Sequence, residues 1–198
     1  MANDLILASG SKIRATLLQN AGLNFRIQKS NVDEDSMKEA MRAEGLSAKD
    51  QAEHLAEMKA TKVSANTSGL VLGADQMLSL DGEGFDKPQN RDEAFDRLKF
   101  FSGKSHHLEC AAVIAQNGEP IWRFISRPKL TMRPLTDGYI DQYLDQIGDA
   151  AFESVGAYQL EGLGIQLFSK IEGDYFAILG LPLLELLTFL RDRGDLES

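Results

Sequence analysis

The stretch LILASGSKIRATLLQNAGL, residues 5–23, indicates the fold class of this 198-residue chain. Its first four residues, Leu5–Ala8, are apolar and predict a short buried strand. Apolar residues then recur at helical spacing from Ile13 to Ala21, and Gly22 ends the predicted helix. Strand and helix are joined by a turn of small residues, and the amide groups at the start of a helix can hold an anion.

This turn carries three candidate phosphate ligands. Ser9 and Ser11 offer hydroxyl donors, and Arg14, one turn into the helix, can reach the same anion with its planar guanidinium. The residues alone give a weak signal, because the turn has neither the P-loop nor the dinucleotide-binding spacing. On these residues alone, an ordinary strand followed by a capping serine is the more frequent explanation.

Strands and helices alternate along the rest of the chain. Predicted strands cover residues 24–30, 70–74, 77–80, 106–115, 121–135 and 163–171, with an acidic loop at 32–35, a pause at Asp75 and a turn, QNGEP, between the two longest strands. Predicted helices cover residues 48–63, 136–147 and 183–190, and another lies between a capping Asn90 and Gly103. This alternation predicts an α/β fold, and the antiparallel hairpin makes its sheet mixed.

Composition excludes several classes of protein. A formal charge of −9 argues against a nucleic-acid partner, which needs a basic footprint, but allows a small anionic ligand. The longest apolar run, residues 176–190, contains Pro182 and Glu185 and is shorter than the roughly 20 residues of a membrane span. We therefore expect no membrane partner and a cytoplasmic location. The single cysteine, Cys110, is expected to pack inside a strand.

A series of short motifs follows the opening stretch in fixed order along almost the whole chain. They are Asp33-Glu34, Lys59-Ala60, Gly73-Ala74-Asp75, Lys87-Pro88, Glu93-Ala94, Leu98, Ser102-Gly103 with His107 nearby, Gly156-Ala157-Tyr158, Gly162, Gly173-Asp174-Tyr175 and Gly180-Leu181-Pro182. The set resembles the Maf family of nucleoside triphosphate pyrophosphatases, whose opening motif is usually L-A-S-x-S-P-R-R-x-x-L-L.

The resemblance implies a fold, an activity and a cofactor. The fold would be a mixed twisted sheet with flanking helices, in two lobes around a central nucleotide-binding cleft, as in Maf-like and inosine triphosphatase-like proteins. Residues 1–198 would form a single domain. The activity would be hydrolysis of a nucleoside triphosphate to monophosphate and pyrophosphate, a housecleaning reaction that uses a divalent cation, Mg or Mn.

The resemblance also implies roles for individual residues. Asp75 would be the catalytic acidic residue. It would act either as general base or as a metal-anchored activator of water. Glu34 would share the metal with Asp75, and Asp33 would assist. Five residues would bind phosphate: Ser9, Ser11, Arg14, Lys59 and Lys87.

Two departures from the family pattern remove basic residues. The usual P-R-R is Lys12-Ile13-Arg14 here, so that Ile13 replaces an arginine and Lys12 is a candidate to restore the charge. Ser154 stands where the family usually has a lysine. These departures favour the main alternative, a weakly active or inactive nucleotide-binding regulator of cell division or septum formation. A binding domain for a ligand other than a nucleotide is the third hypothesis.

Two further departures concern the base of the nucleotide. Gln76 follows the catalytic Asp, and Glu161 stands where the family commonly has glutamine. Both resemble the branch that prefers 7-methyl-GTP. A carboxylate suits the adjacent N–H donors of guanine and the positive charge that methylation adds. Glu161, with Gln76 and Ile13 beside it, is the predicted specificity determinant; an exposed loop acid is the alternative.

The remaining conspicuous residues favour structural roles. His106 and His107 are adjacent on a strand, so their side chains point to opposite faces and do not form a metal site. Trp122 and Phe124 share one face, which indicates core packing rather than base stacking. The leucine-rich segment 183–190 predicts a buried closing helix, with a homodimer interface as the alternative.

Overall fold

A computed structural model describes residues 4–197 and shows a mixed eight-stranded sheet flanked by helices, which confirms the predicted α/β class. The strands are β1 (Leu5–Leu7), β2 (Phe25–Ile27), β3 (Leu70–Leu80), β4 (Glu83–Phe85), β5 (Ser105–Gln116), β6 (Glu119–Ser126), β7 (Lys129–Met132) and β8 (Phe168–Glu172). The helices are α1 (Lys12–Asn20), α2 (Glu34–Ala43), α3 (Ala48–Ser64), α4 (Arg91–Phe101), α5 (Asp137–Ile147), α6 (Tyr175–Ile178) and α7 (Leu183–Asp192).

The two longest strands, β3 and β5, form the centre of the sheet in the order β2-β1-β3-β5-β7-β8. They pair antiparallel, whereas β1 is parallel to both β2 and β3. On its outer edge β3 pairs with β1 as far as Leu72 and with β4 from Leu78 onward. Between them, residues 73–77 have no strand partner on that edge among the described residues. We call this segment the edge gap.

Two apolar cores lie on one face of the sheet. The first joins β1, α1 and α7 to the N-terminal half of β3, and the second joins α4, α5, β7 and β8 to its C-terminal half. Gln76 lies in β3 between the two, so the predicted two lobes meet at the edge gap. On the opposite face, α3 packs through a row of small residues, Ala48, Ala52, Ala56 and Ala60.

Local signals predicted several elements correctly. The Asn90 side chain caps α4 by accepting a hydrogen bond from the Glu93 amide. The β5–β6 hairpin turns at Asn117 and Gly118, whose φ values of 54° and 83° fit the left-handed conformation that Asn and Gly tolerate. Helix α7 buries Leu183, Leu186 and Leu190, which confirms the closing helix.

Four other predictions were wrong. The acidic segment 32–35 is not all loop, because Glu34 and Asp35 begin α2. The predicted strand 121–135 is two strands interrupted at Arg127-Pro128, where Pro128 has no amide N–H to continue a ladder. The predicted strand 163–171 starts instead as a 3₁₀ helix, Leu163–Leu167, before β8. In addition, β3 runs through Asp75 without a pause.

Candidate active site

A cavity of about 680 Å³ lies at the edge gap, between the two lobes. Its walls come from the β1–α1 turn, α2, α3, the segment 153–161 and the turn after α6. All ten residues predicted from the sequence line it: Ser9, Ser11, Ile13, Arg14, Glu34, Lys59, Asp75, Gln76, Lys87 and Glu161.

The edge gap gives the cavity access to both faces of the sheet. Asp75 and Gln76 are consecutive strand residues, so their side chains point to opposite faces. Asp75 contacts Lys59 of α3 on one face, and Gln76 contacts the main chain of α6 on the other. Both still line one cavity, because no described strand covers β3 at this point.

Gly73 brings α3 close to Asp75. A Cβ atom at this position would overlap the main-chain oxygen of Ala56 and lie 2.7 Å from the nitrogen of Ala60. The helix can therefore approach the strand only because residue 73 has no side chain. Lys59, which lies between these two alanines on α3, is thereby placed within reach of Asp75.

Lys59 bridges two carboxylates. Its Nζ lies 2.7 Å from Asp75 Oδ1 and 2.8 Å from Glu34 Oε2. Lys59 and Asp75 are buried, whereas Glu34 is partly exposed. The second oxygen of Asp75, Oδ2, is buried and has no hydrogen-bond partner among residues 4–197. A buried carboxylate oxygen without a partner is costly, so this atom is a ready acceptor for water or a cation.

The donor set fits a divalent cation that is shared with a substrate. No cluster of three or more His, Cys, Asp or Glu side chains suited to a metal occurs in the described part of the chain. Asp75 and Glu34 provide two carboxylates, and Mg²⁺ commonly uses one or two carboxylates together with substrate phosphates. Asp33 is not part of this set: it is exposed and caps α2. Hydrogen bonds from the Ser36 hydroxyl and amide lower the pKa of Asp33.

Arg14 is buried at the floor of the cavity and already holds three groups. Its Nε donates to Gly180 O at 2.7 Å, and its Nη1 donates to Ala74 O at 2.9 Å and to Ser9 Oγ at 3.2 Å. Arg14 thus ties the opening turn to the edge gap and to the turn before α7. Its Nη2 is the guanidinium nitrogen left for a ligand.

Lys87 lies at the rim of the cavity with its side chain exposed. Its ammonium makes no hydrogen bond or ion pair with any described residue. Partial desolvation by its surroundings, followed by the charges of Arg14 and Lys38, lowers the pKa of Lys87. These cations would favour an anion beside Lys87.

The predicted specificity residues come from three parts of the cavity lining: Ile13 from α1, Gln76 from β3 and Glu161 from the segment 153–161. Glu161 is exposed, and Ile13 is partly buried. Gln76 donates both N–H groups of its amide to the carbonyls of Ala177 and Ile178, at 2.8 and 3.1 Å. Only the Gln76 Oε1 atom is therefore available to a ligand, as an acceptor.

Tyr158 is a wall residue that the sequence did not single out as functional. Its hydroxyl lies 2.7 Å from His106 Nε2, and both side chains are buried. Burial, and to a lesser extent the neighbouring His107, lowers the pKa of His106 to about 4. The prediction of a structural role for His106 fits this pairing. Cys110 is also buried, and desolvation raises the pKa of its thiol to about 12.

Lys38 is a second cavity residue that the sequence did not reveal. It lies four residues after Glu34 on α2, so both side chains share one face of that helix. The spacing of four residues between Glu34 and Lys38 would have pointed to Lys38 if the sequence had predicted α2 as a helix.

A second cavity, of about 710 Å³, lies near the N-terminus of α3. It contains none of the ten predicted residues. Its buried carboxylate, Glu109, is paired through Oε1 with the Ser79 hydroxyl at 2.7 Å and Arg127 Nε at 2.8 Å. Its Oε2, like Asp75 Oδ2, has no hydrogen-bond partner among the described residues. Since all ten predicted residues lie at the edge gap, that cavity is the candidate active site. Across residues 4–197, every helix is too short or too polar to span a membrane.

Comparison with known proteins identifies the family of the chain. A family model described as Maf-like protein matches residues 4–193. The nucleoside triphosphate pyrophosphatase of Hyphomonas neptunium is 55% identical over 198 residues, covering 100% of both chains. Two proteins named 7-methyl-GTP pyrophosphatase are each 48% identical: that of Rhizobium meliloti over 98% of both chains, and that of Brucella suis over 96% of both. The chain belongs to the Maf family.

Proposed function

We propose that this protein hydrolyses a nucleoside triphosphate to the monophosphate and pyrophosphate, with 7-methyl-GTP as the preferred substrate. The observation that carries the proposal is the pair of carboxylates, Asp75 and Glu34, joined by Lys59 in a cavity that also receives Arg14 and Lys87. Relatives named nucleoside triphosphate pyrophosphatase and others named 7-methyl-GTP pyrophosphatase support it. A cytoplasmic location and a homodimer stay predictions.

The reaction needs an array of positive charge around the triphosphate. A water oxygen forms a bond to the α-phosphorus while the bond from that phosphorus to the bridging oxygen breaks, and pyrophosphate leaves with the extra negative charge. Lys59, Lys87 and the free Nη2 of Arg14 are the groups that would neutralise this charge. Fixed cations in a partly desolvated site stabilise such a transition state without reorganisation.

Asp75 is the group that would receive the proton of the attacking water. Lys59 occupies Oδ1 and fixes the orientation of the carboxylate, and Oδ2 has no partner among the described residues. Asp75 Oδ2 would therefore accept the proton of the water, and the hydrogen bond from Lys59 to Oδ1 would fix the orientation of the carboxylate. If a metal is bound, Asp75 and Glu34 would hold it, and it would supply further charge neutralisation across the phosphate oxygens.

Base preference would depend on Glu161 and Gln76. Glu161 offers a carboxylate that suits the N–H donors of guanine, and Gln76 offers only its carbonyl oxygen, because its amide hydrogens are used. Two acceptors favour a base edge that presents donors. This supports guanine, and 7-methyl-guanine in particular since it carries positive charge.

The test is pyrophosphate release from 7-methyl-GTP, GTP, dTTP, UTP and CTP, with Mg²⁺ or Mn²⁺ present. We expect fastest release from 7-methyl-GTP and a loss of at least about a hundredfold in Asp75→Asn, the range of a lost general base. Asp141→Asn, which changes a surface ion pair on α5, is the matched control and should retain full activity. Glu161→Gln should narrow the preference for guanine over pyrimidine.

Each contradictory result has a separate meaning. Full activity in Asp75→Asn would refute the catalytic assignment. A pyrimidine preference would keep the hydrolase and reject the 7-methyl-GTP assignment. No release from any nucleotide, together with thermal stabilisation by one of them, would favour the regulatory binder.

A further inference from the structure

Arg97 of α4 binds two separated parts of the main chain. Its Nη1 donates to the carbonyl of Asp86 at 2.7 Å and to the carbonyl of Val155 at 2.6 Å. Its guanidinium also lies 5.0 Å from the centre of the Phe85 ring. Arg97 forms no ion pair with a carboxylate within residues 4–197.

Arg97 is a charged group that is held by main-chain carbonyls rather than by a carboxylate. Arg97 is partly buried, and desolvation lowers its pKa even though the charges of Asp86 and Glu93 act in the opposite direction. An apolar side chain at this position would leave the carbonyls of Asp86 and Val155 without this donor. Arg97 therefore fixes the two carbonyls relative to each other.

The two carbonyls belong to two segments that contribute residues to the cavity, and Arg97 brings them together. Asp86 directly precedes Lys87, the cation at the rim. Val155 lines the cavity itself, within the segment 153–161 that ends at Glu161. Arg97 is not among the lining residues. It thus joins the segment that carries Lys87 to the segment 153–161 from outside the cavity.

Lys87 depends on this anchor because its own ammonium has no partner among the described residues. Its position is set by its main chain, which Arg97 holds through Asp86. The Asp86 carboxylate is held from the other side by α2, at 3.2 Å from Lys38 Nζ and 2.6 Å from Arg42 Nη2. Unlike Lys38 and Arg42, Arg97 also donates a hydrogen bond to the main chain of Val155.

We propose that Arg97 is a positioning residue that fixes the separation between Lys87 and the Val155 wall. With this separation fixed, the triphosphate and the base of one nucleotide can be held at the same time. The inference rests on the proposed function, because it assigns the phosphate to Lys87 and the base to the wall.

The test introduces Arg97→Met and, separately, Arg91→Met into two backgrounds. One background is the wild type and the other is the Lys87→Met variant. Arg91 lies on the same helix but pairs with Asp141 and Asp145, away from the cavity. For the preferred nucleotide, kcat and KM for pyrophosphate release, the calorimetric Kd and the melting temperature are measured. We expect Arg97→Met to raise KM about tenfold with little change in kcat, since misplacement weakens binding. Arg91→Met should leave both constants unchanged.

The background without Lys87 separates positioning from general stability. If Arg97 acts through Lys87, Arg97→Met should change KM by less than about twofold once Lys87 is absent, because coupled residues are not additive. Equal losses in both backgrounds would overturn the inference, as would an unchanged KM in Arg97→Met. If Arg97→Met does not fold, Arg97→Lys, which keeps the charge and the apolar stem, serves in the same comparison.

The wild-type measurements distinguish the two hypotheses. If the wild type binds a nucleotide without releasing pyrophosphate, the proposed function fails and the same comparison is made on Kd. If it neither binds nor hydrolyses any nucleotide, both proposals fail. If it hydrolyses normally and Arg97→Met matches Arg91→Met, only the inference fails.

Discussion

Gly73 is the residue at which a single methyl group should do most damage. Gly73→Ala places a Cβ against the main chain of α3, so strand and helix must separate. Overpacking of this kind costs about 2 kcal/mol. Because Lys59 lies on that helix, pyrophosphate release should fall as well. Denaturant unfolding and the activity assay measure the two effects.

Gly84→Ala is the matched control for that prediction. Gly84 lies on the neighbouring strand β4, and its Cβ would meet Ala48 Cβ at 3.4 Å, an ordinary contact. The free energy of unfolding of Gly84→Ala should differ from that of the wild type by less than about 0.5 kcal/mol. Equal stability of the two variants would show that α3 does not need the glycine.

His106 should make stability depend on pH. The folded protein holds it neutral with a pKa of about 4, whereas the unfolded chain binds a proton below about 6.5. Stability is therefore fully present above about pH 6.5 and falls by about 3 kcal/mol as the pH drops to 4.

His106→Phe removes this titration, although it leaves the Tyr158 hydroxyl without its partner. The variant should be less stable than the wild type at pH 7, and the difference should shrink by about 3 kcal/mol at pH 4. Denaturant unfolding at several pH values tests this. Parallel curves for the two proteins would show that His106 does not titrate in this range.

Helix α2 shows why an element can be missed from sequence. Periodicity finds helices through apolar residues, and α2 buries only one residue fully, Met41. The Asp33 cap is a local signal like that of Asn90, but the ion pairs that hold the helix join Lys38 and Arg42 to Asp86, which lies more than 40 residues away in the chain. No local pattern shows that distant partner. In contrast, the Asn117-Gly118 hairpin and the Asn90 cap depend on adjacent residues and were predictable.

Asp86→Asn should loosen α2 selectively. Burial alone would raise the pKa of Asp86, but the hydrogen bond from Arg42 and the charges of Lys38 and Arg42 outweigh it and lower the pKa. This pairing therefore stabilises the fold above the ordinary carboxyl pKa and is lost as the pH falls through the lower folded value. In the variant, amide hydrogens of Glu34–Ala43 should exchange faster by hydrogen–deuterium exchange, with little change in α3. Unchanged exchange in α2 would contradict this, and Asp141→Asn is the control.

At the scale of the whole molecule, the candidate site was predictable as a set of residues but not as a geometry. The resemblance of the motifs to one family selected ten residues, and all ten line one cavity. Their bonds were not predictable: Gln76 uses its amide on α6, a hundred residues later, and Arg14 donates to the main-chain carbonyls of Gly180 and Ala74. Such contacts come from topology, which no segment of sequence shows by itself.

The two cores should unfold together, because β3 and β5 run through both. Leu98 is buried in the core around α4, and Trp122 packs against the other core. Leu98→Ala should cost about 3 kcal/mol. The fluorescence of Trp122, the single tryptophan, should report the same loss as far-UV circular dichroism. An unshifted Trp122 transition would show that the lobes unfold independently.

The alternation of Asp75 and Gln76 along one strand has an evolutionary consequence. If hydrolysis depends on the face that carries Asp75 and base choice on the face that carries Gln76, mutations can accumulate on one side of the sheet while the other stays intact. A lineage could then exchange one nucleotide for another in small steps, each ancestor still a working catalyst. Two consecutive codons would thus be free to mutate under separate selection.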